Sequence, residues 1–171
     1  MKIAVQDANI LIDLELSGTL GIWFDLGIET HTTDLILAQI QKGGHSGVLA
    51  FAASRRLFIH ETTPQILAES AQCLFDHPDL EIEDAGAYLL AVALRALLLT
   101  GDKELRLLAE ARCVEVHGTL WIFDRLIEKG LLKPKDAAEK LESLLAQDRY
   151  LPKVLCSDRI KTWQKGRGYR P

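Results

Sequence analysis

Three aspartates stand where their carboxylates could act together. Asp7 follows the short β-prone run KIAVQ, Asp84 precedes the apolar run AGAYLLAVALRA, and Asp102 follows LLLT after one glycine. Mg²⁺ and Mn²⁺ prefer hard oxygen ligands, and closely packed carboxylates repel one another unless a cation neutralises them. Such a cation can activate water and stabilise charge on a phosphate during hydrolysis. We therefore take these three residues as candidate metal ligands and catalytic residues.

Each aspartate also has a purely structural interpretation. Asp84 and Asp102 stand where helix N-caps are expected, and aspartate is a leading capping residue. Asp7 is harder to explain in this way, because aspartate is depleted in strands and here follows one directly. No cluster of Cys, His or Ser competes for a catalytic role. The glycine-rich segment 43–47 predicts a flexible loop, and it lacks the Gly-Lys-Ser/Thr ending of a phosphate-binding loop.

The elements that must position these residues alternate between strands and helices. Strands are predicted over residues 2–6, 27–33, 57–61, 97–100 and 113–118. Helices are predicted directly after Asp7, over 34–42, from Pro64, and over 84–96, 103–111, 119–129 and 134–146. This alternation is typical of a mainly parallel sheet with helices on both faces. Ligands of such sheets bind beyond the carboxyl ends of the strands, which is where Asp7 and Asp102 are expected to lie.

Composition and hydropathy favour a globular protein without a membrane span. Of 171 residues 48% are apolar, and the net charge of −4 gives no overall sign of nucleic-acid binding. The three cysteines Cys73, Cys113 and Cys156 are too scattered for a disulfide framework or a zinc site. The start of the chain does not resemble a signal peptide, and the apolar stretch 85–99 is interrupted by Arg95 and too short to cross a bilayer. The expected location is the cytoplasm.

Three segments resemble the PIN-domain family. DANILIDL (7–14) matches the opening Asp-x-Asn-x-Leu pattern of that family. EDAGAYLLAVALRALLLTGDKELRLLA (83–109) matches its later aspartate, its buried Ala/Leu-rich helix and its Thr-x-Asp after an apolar strand. HGTLWIFDRLIEKGLL (117–132) resembles a Gly-Thr-Leu helix of one PIN subgroup. The resemblance implies a PIN-like three-layer α/β sandwich over residues 1–132, with residues 133–171 as a C-terminal helical extension.

The resemblance also implies a function. The family includes the ribonuclease toxins of bacterial and archaeal toxin–antitoxin pairs, so the implied activity is Mg²⁺- or Mn²⁺-dependent cleavage of single-stranded RNA. Asp7, Asp84 and Asp102 would hold the metal. Asn9 would brace the site through hydrogen bonds, and Thr100 would help to orient Asp102. The implied partners are RNA and an antitoxin protein, and a homodimer is left open.

The chain departs from the family pattern at Gln39, where the family usually has a glutamate. Glutamine offers a neutral carbonyl oxygen but no charge, so metal affinity should fall. Asp34 lies about 140° away around the same helix and is expected to cap it. The alternative function is therefore a catalytically weakened PIN scaffold that binds a protein or RNA. A phosphotransfer domain on another α/β fold ranks below both, because Asn9 stands where such domains have a second aspartate.

The last 25 residues are basic. They contain seven Lys/Arg and two Asp, a net charge of +5, with Tyr150, Trp163 and Tyr169 interleaved. Cations and stacking rings suit single-stranded RNA. The interpretation we favour is a terminal amphipathic helix, with Leu155, Ile160 and Trp163 packed on the domain and the charges solvated.

Overall fold

A five-stranded, wholly parallel β-sheet forms the centre of the protein, whose computed structural model describes residues 2–168. The strands are β1 (Ile3–Gln6), β2 (Glu29–Thr33), β3 (Leu57–His60), β4 (Leu97–Leu99) and β5 (Val116–His117). Their order across the sheet is β3-β2-β1-β4-β5. The predicted α/β fold with a parallel sheet is confirmed.

Ten helices flank the sheet within the described part of the chain. They are α1 (Ala8–Leu16), α2 (Leu20–Phe24), α3 (Asp34–Lys42), α4 (Ser46–Ala53), α5 (Pro64–Asp76), α6 (Ile82–Leu94), α7 (Lys103–Ala111), α8 (Thr119–Glu128), α9 (Pro134–Ala146) and α10 (Lys153–Gln164). Helix α6 lies across β1, β2 and β4, with α5 and α7 beside it. Helix α1 contacts α2, α3, α4 and α8, and α9 joins α8 to α10. The sheet is thus the middle of three layers.

The two central strands place the ends of β1 and β4 side by side. Both are almost continuously apolar and buried, as expected for parallel strands covered on both faces. Gln6 pairs in register with Leu99, and the backbone N–H of Asp7 donates to the Leu99 carbonyl at 3.1 Å. The chain continues from β1 to β2 on one side and from β4 to β5 on the other. The β1/β4 boundary is therefore the switch point, where open α/β sheets form their ligand crevice.

The loop predicted around residues 43–47 is confirmed only for residues 43–45, which connect α3 to α4, because residues 46 and 47 already belong to α4. Helix α4 begins at Ser46, and Val48 on it is fully buried. The backbone N–H of Gly47 donates to Glu15 Oε1 at 2.6 Å, and a Cβ at position 47 would lie only 2.5 Å from that oxygen. Glycine is required here for close approach of the backbone rather than for flexibility.

The last strand is shorter than the predicted segment 113–118. Cys113 adopts a φ of 58°, a left-handed conformation that side-chain-bearing residues rarely adopt and that a strand does not contain. Its N–H donates to the Glu110 carbonyl, which closes the end of α7. Strand pairing therefore begins only at Val116.

The C-terminal helices share the core of the sheet. Helix α9 buries four apolar residues, and Cys156 and Trp163 on α10 are fully buried in the same cluster. The predicted packing of Ile160 and Trp163 is confirmed, but Leu155 is 48% exposed, which contradicts its predicted role. Tyr169 lies outside the described residues. No helix within residues 2–168 combines the length and apolarity needed to cross a membrane.

Candidate active site

Asp7 occupies the switch point of the sheet and is 1% exposed. Its Oδ1 accepts a hydrogen bond from the Ile10 N–H at 2.8 Å, which makes Asp7 the N-cap of α1. Its Oδ2 accepts a hydrogen bond from the Thr100 hydroxyl at the end of β4. Both carboxylate oxygens are therefore held in place, one by each of the two central βα units.

Thr100 links Asp7 to Asp102. Its Oγ1 accepts from the Asp102 N–H at 2.9 Å while its hydroxyl donates to Asp7. Asp102 is half-buried, and its Oδ1 accepts from the Leu105 N–H at 2.7 Å, so its predicted position as a helix N-cap is confirmed. Arg106 donates to the Thr100 carbonyl at 3.2 Å. The Thr100 side chain thus orients both the backbone of Asp102 and the carboxylate of Asp7.

Asp84 lies in the first turn of α6. The sequence had suggested that Asp84 is the N-cap of this helix, and that prediction was wrong. The helix begins at Ile82, and the Asp84 Oδ2 accepts from the Glu81 N–H at 3.2 Å. An acidic side chain at the third helical position reaches back in this way to satisfy a free backbone N–H. Because α6 packs against β1, Asp84 is brought close enough for its charge to act on Asp7.

Charge effects link Asp7 to Asp84 and Asp84 to Asp102, and we call these three residues the acidic cluster. Burial raises the pKa of Asp7 to about 7, and the negative charge of Asp84 adds to this, against the lowering effect of the Thr100 and Ile10 hydrogen bonds. Burial likewise raises the pKa of Asp84 to about 6, with the charge of Asp102 acting in the same direction. Carboxylates that resist ionisation in this way are characteristic of functional sites.

The donor chemistry of the cluster fits a hard divalent cation, although the side chains are not arranged as a finished cage. Within residues 2–168, no three Asp, Glu, His or Cys side chains are grouped so that they could hold a metal as they stand. Each of the three aspartates instead accepts a backbone hydrogen bond at a helix start. The predicted capping role therefore holds for Asp7 and Asp102, while Asp84 supports its helix start from the third helical position.

Comparison with protein families agrees with this fold. A family model described as a PIN domain matches residues 3–165. The chain belongs to the PIN-domain family. The match runs past residue 132, where we expected the extension to begin, and takes in α9 and α10. No curated protein matches the chain.

Gln39, which the sequence pattern places at the position of the usual PIN-domain glutamate, lies on α3 and is exposed. The expectation that Asp34 caps this helix was wrong, because Thr33 is the N-cap and its Oγ1 accepts from the Ile36 N–H at 3.3 Å. Asp34 instead accepts from the N–H of Thr62 at 3.1 Å and from its hydroxyl, which ties the end of β2 to the segment after β3.

Asn9 is held in place by a residue near the C-terminal end of the chain. Arg149 donates from one nitrogen to both the Asn9 carbonyl and the Asn9 Oδ1, each at 3.3 Å. Its Nε donates to Asp13 Oδ1 at 2.6 Å, and the Thr119 hydroxyl donates to Asp13 Oδ2 at 2.8 Å. Asp13 is 4% exposed. The sequence analysis missed this network, although a charged residue in the apolar run NILIDL was a signal for it.

Replacing Arg149 by methionine is expected to destabilise the protein by about 3 kcal/mol, because removing one partner leaves a buried charge uncompensated. Burial already raises the pKa of Asp13, against the lowering effect of Arg149. Urea unfolding would measure the change. Adding Asp13→Asn should recover part of the loss, since the double variant buries no isolated charge. An Arg149→Met protein as stable as the wild type would show that the ion pair does not hold the extension in place.

Proposed function

We propose that this PIN domain is a metal-dependent endonuclease of single-stranded RNA, with Mg²⁺ or Mn²⁺ held by Asp7, Asp84 and Asp102. The observation that supports it most is the acidic cluster at the β1/β4 switch point, where the pKa values of Asp7 and Asp84 are raised. A bound cation would activate water and stabilise charge on the phosphate. It would also relieve the repulsion within the cluster.

The residues of the chain supply a rigid support for this chemistry. Thr100 and the Ile10 N–H fix the two oxygens of Asp7, and Thr100 also fixes the backbone of Asp102. Arg106 in turn holds the Thr100 carbonyl. Catalytic groups must be held within about 0.5 Å of a productive geometry, and supporting hydrogen bonds of this kind achieve that. Asn9, held by Arg149, borders the site.

The proposal is tested by incubating the purified protein with a labelled single-stranded RNA in Mn²⁺. We expect cleavage that EDTA abolishes and that falls at least about 100-fold in Asp84→Asn, because a charge next to a catalytic cation contributes several kcal/mol. Asp84→Asn keeps a side-chain oxygen for the Glu81 N–H, so the helix start is preserved. Cleavage that persists in EDTA, at the same rate in the wild type and in Asp84→Asn, would refute the metal mechanism.

We extend the proposal to the biological setting of a toxin paired with an antitoxin protein. The support is the resemblance of the opening and closing motifs to the PIN toxins. Co-purification of this chain with the product of an adjacent small gene, together with suppression of the nuclease activity in that complex, would test the pairing.

A catalytically weakened scaffold is the second candidate function, and Gln39 is the observation that favours it. Its test is Gln39→Glu. If position 39 faces the metal site, the added charge should tighten Mn²⁺ binding about tenfold and raise nuclease activity. The same change should lower the melting temperature in EDTA, because four close carboxylates repel one another more than three.

The control for this prediction is Gln41→Glu. Gln41 is exposed on the same helix, two residues further along and on a different side. Gln41→Glu makes the same change of charge and size as Gln39→Glu, so general effects on α3 are matched. Equal Mn²⁺ affinities and equal melting temperatures for the two variants would place position 39 outside the site.

A further inference from the structure

A groove with a cavity volume of about 710 Å³ opens beside the acidic cluster. Its lining includes Thr100 and Gly101, which connect β4 to Asp102. Lys103 from α7, Trp121 from α8 and five residues between positions 150 and 159 of the C-terminal extension also line it. The groove therefore borders the candidate active site at Thr100 and Gly101, and the extension contributes to its lining.

The charge of the groove is opposite to that of the acidic cluster. Among the described residues that line it, the charged side chains are Lys103, Arg106 and Arg159, and none is Asp or Glu. Lys103 is the most exposed of the three, because Arg106 is bound to two backbone carbonyls and Arg159 to Asp124. Much of the remaining lining is apolar or aromatic. Such a surface suits a ligand with phosphates on one side and apolar rings on the other.

The extension is anchored so that an aromatic ring faces solvent at the groove. Arg149 fixes the chain to Asn9 and Asp13 on α1. The next residue, Tyr150, is 90% exposed, and Leu155 is 48% exposed. The anchoring places Tyr150 one residue from a contact with Asn9, which is itself two residues from Asp7.

The lining also includes a stacked pair of rings. The rings of His117 and Trp121 are stacked with centroids 4.2 Å apart and planes only 5° apart. Arg125 lies over the Trp121 ring, 5.2 Å from its centroid. Tyr150 and this stack both line the groove, and ring stacking contributes about 1–3 kcal/mol per base.

We propose that this groove binds the RNA strand next to the cleaved phosphate, with one base stacked on Tyr150 and a flanking phosphate paired with Lys103. The inference rests on the proposed nuclease function and adds a place for the strand. It makes the extension part of the substrate site. A protein segment is the less favoured occupant, because the charged residues that line the groove are all cationic and the groove borders the acidic cluster at Thr100 and Gly101.

The test measures binding apart from cleavage. The wild-type protein and its variants are titrated into a fluorescent single-stranded RNA of roughly 10 nucleotides in EDTA, and anisotropy reports binding. Tyr150→Ala should weaken binding at least about fivefold, whereas Tyr150→Phe should retain it. Lys103→Ala should reduce the slope of log affinity against log salt by about 0.7, the value for one phosphate contact with a single strand.

The matched controls are Phe75→Ala and Lys135→Ala. Phe75 is an aromatic residue that is 83% exposed, Lys135 is an exposed lysine, and both lie outside the groove. They should bind RNA like the wild type. Because Tyr150, Lys103 and both control residues are exposed, their side chains can be removed without opening a cavity in the core.

The outcomes separate this inference from the nuclease proposal. Tyr150→Ala and Lys103→Ala proteins that bind RNA like the wild type would overturn the groove assignment, even if the wild type cleaves RNA in Mn²⁺. Selective loss of binding in these variants, with no cleavage by the wild type, would support the groove and refute the nuclease. A wild-type protein that binds no RNA would also overturn the assignment, and would make a protein segment the next occupant to test.

Discussion

Replacing Asp7 by asparagine is expected to abolish metal-dependent RNA cleavage while making the metal-free protein more stable at about pH 8. Removing a charge beside the catalytic cation should slow cleavage at least about 100-fold, because metal-ion catalysis contributes several kcal/mol. Stability should rise because Asp7 is 1% exposed and burial opposes its ionisation. Asparagine can still accept from the Ile10 N–H and can donate to the Thr100 oxygen, so both contacts survive.

Two measurements on one pair of proteins test this prediction: the cleavage rate in Mn²⁺ and the melting temperature in EDTA. Asp25→Asn is the control, because Asp25 is an exposed aspartate paired with Arg56 at 2.8 Å. Removing the charge of Asp25 should change the free energy of unfolding by less than about 1 kcal/mol and leave cleavage unaltered. Cleavage at the wild-type rate by Asp7→Asn would remove Asp7 from the catalytic site. A lower melting temperature in EDTA would contradict the electrostatic account.

The metal-free protein is expected to lose stability as the pH rises from about 5 to about 8. The pKa of Asp7 is about 7 in the folded protein, against an ordinary value of 3.8. The folded state therefore keeps a proton that the unfolded state has already released. The stabilisation is complete below about pH 4 and is lost as the pH rises through about 7. From pH 5 to pH 8 the loss due to Asp7 is roughly 2–3 kcal/mol, and Asp84 acts in the same direction.

Urea unfolding in EDTA across this pH range would measure the effect, and Asp7→Asn is the reference protein. The difference between the two proteins cancels other titrating groups, such as His60, whose pKa is lowered by burial and by the neighbouring His31. The wild type should become less stable than the variant as the pH rises. Mn²⁺ should reverse this trend, because the cation binds the ionised carboxylate and only in the folded state. Parallel curves in EDTA would show that Asp7 ionises normally.

Much of the fold could be predicted because its signals are local. The apolar runs before Asp7 and Thr100 predicted two buried strands, and strands alternating with helices predicted a parallel sheet. A parallel sheet brings the carboxyl ends of its strands to one edge, so candidate site residues could be named from position alone. Asp102 as a helix cap is likewise a matter of the next three residues. The family match confirms that this pattern belongs to a PIN domain.

Other features depended on residues distant in the chain and escaped prediction. Gly47 appeared to mark a loop, but close approach to Glu15 explains it as part of a helix. Arg149 meets Asp13 across 136 positions, and no local pattern indicates such a pair. The predicted packing of Leu155 was wrong because spacing alone does not say which side of a helix the core will cover.

The sequence by itself determined which residue types could do chemistry, the order of the five strands along the chain, and the family. The tertiary structure alone decided that Thr100 holds Asp7 from a neighbouring strand, that Asp84 acts on it from α6, and that the extension lines a groove beside them. The physical reason is that desolvation and charge interactions depend on everything packed around a group. The sequence specifies a carboxylate at position 7, but its pKa of about 7 arises only when the folded strands and helices bury it.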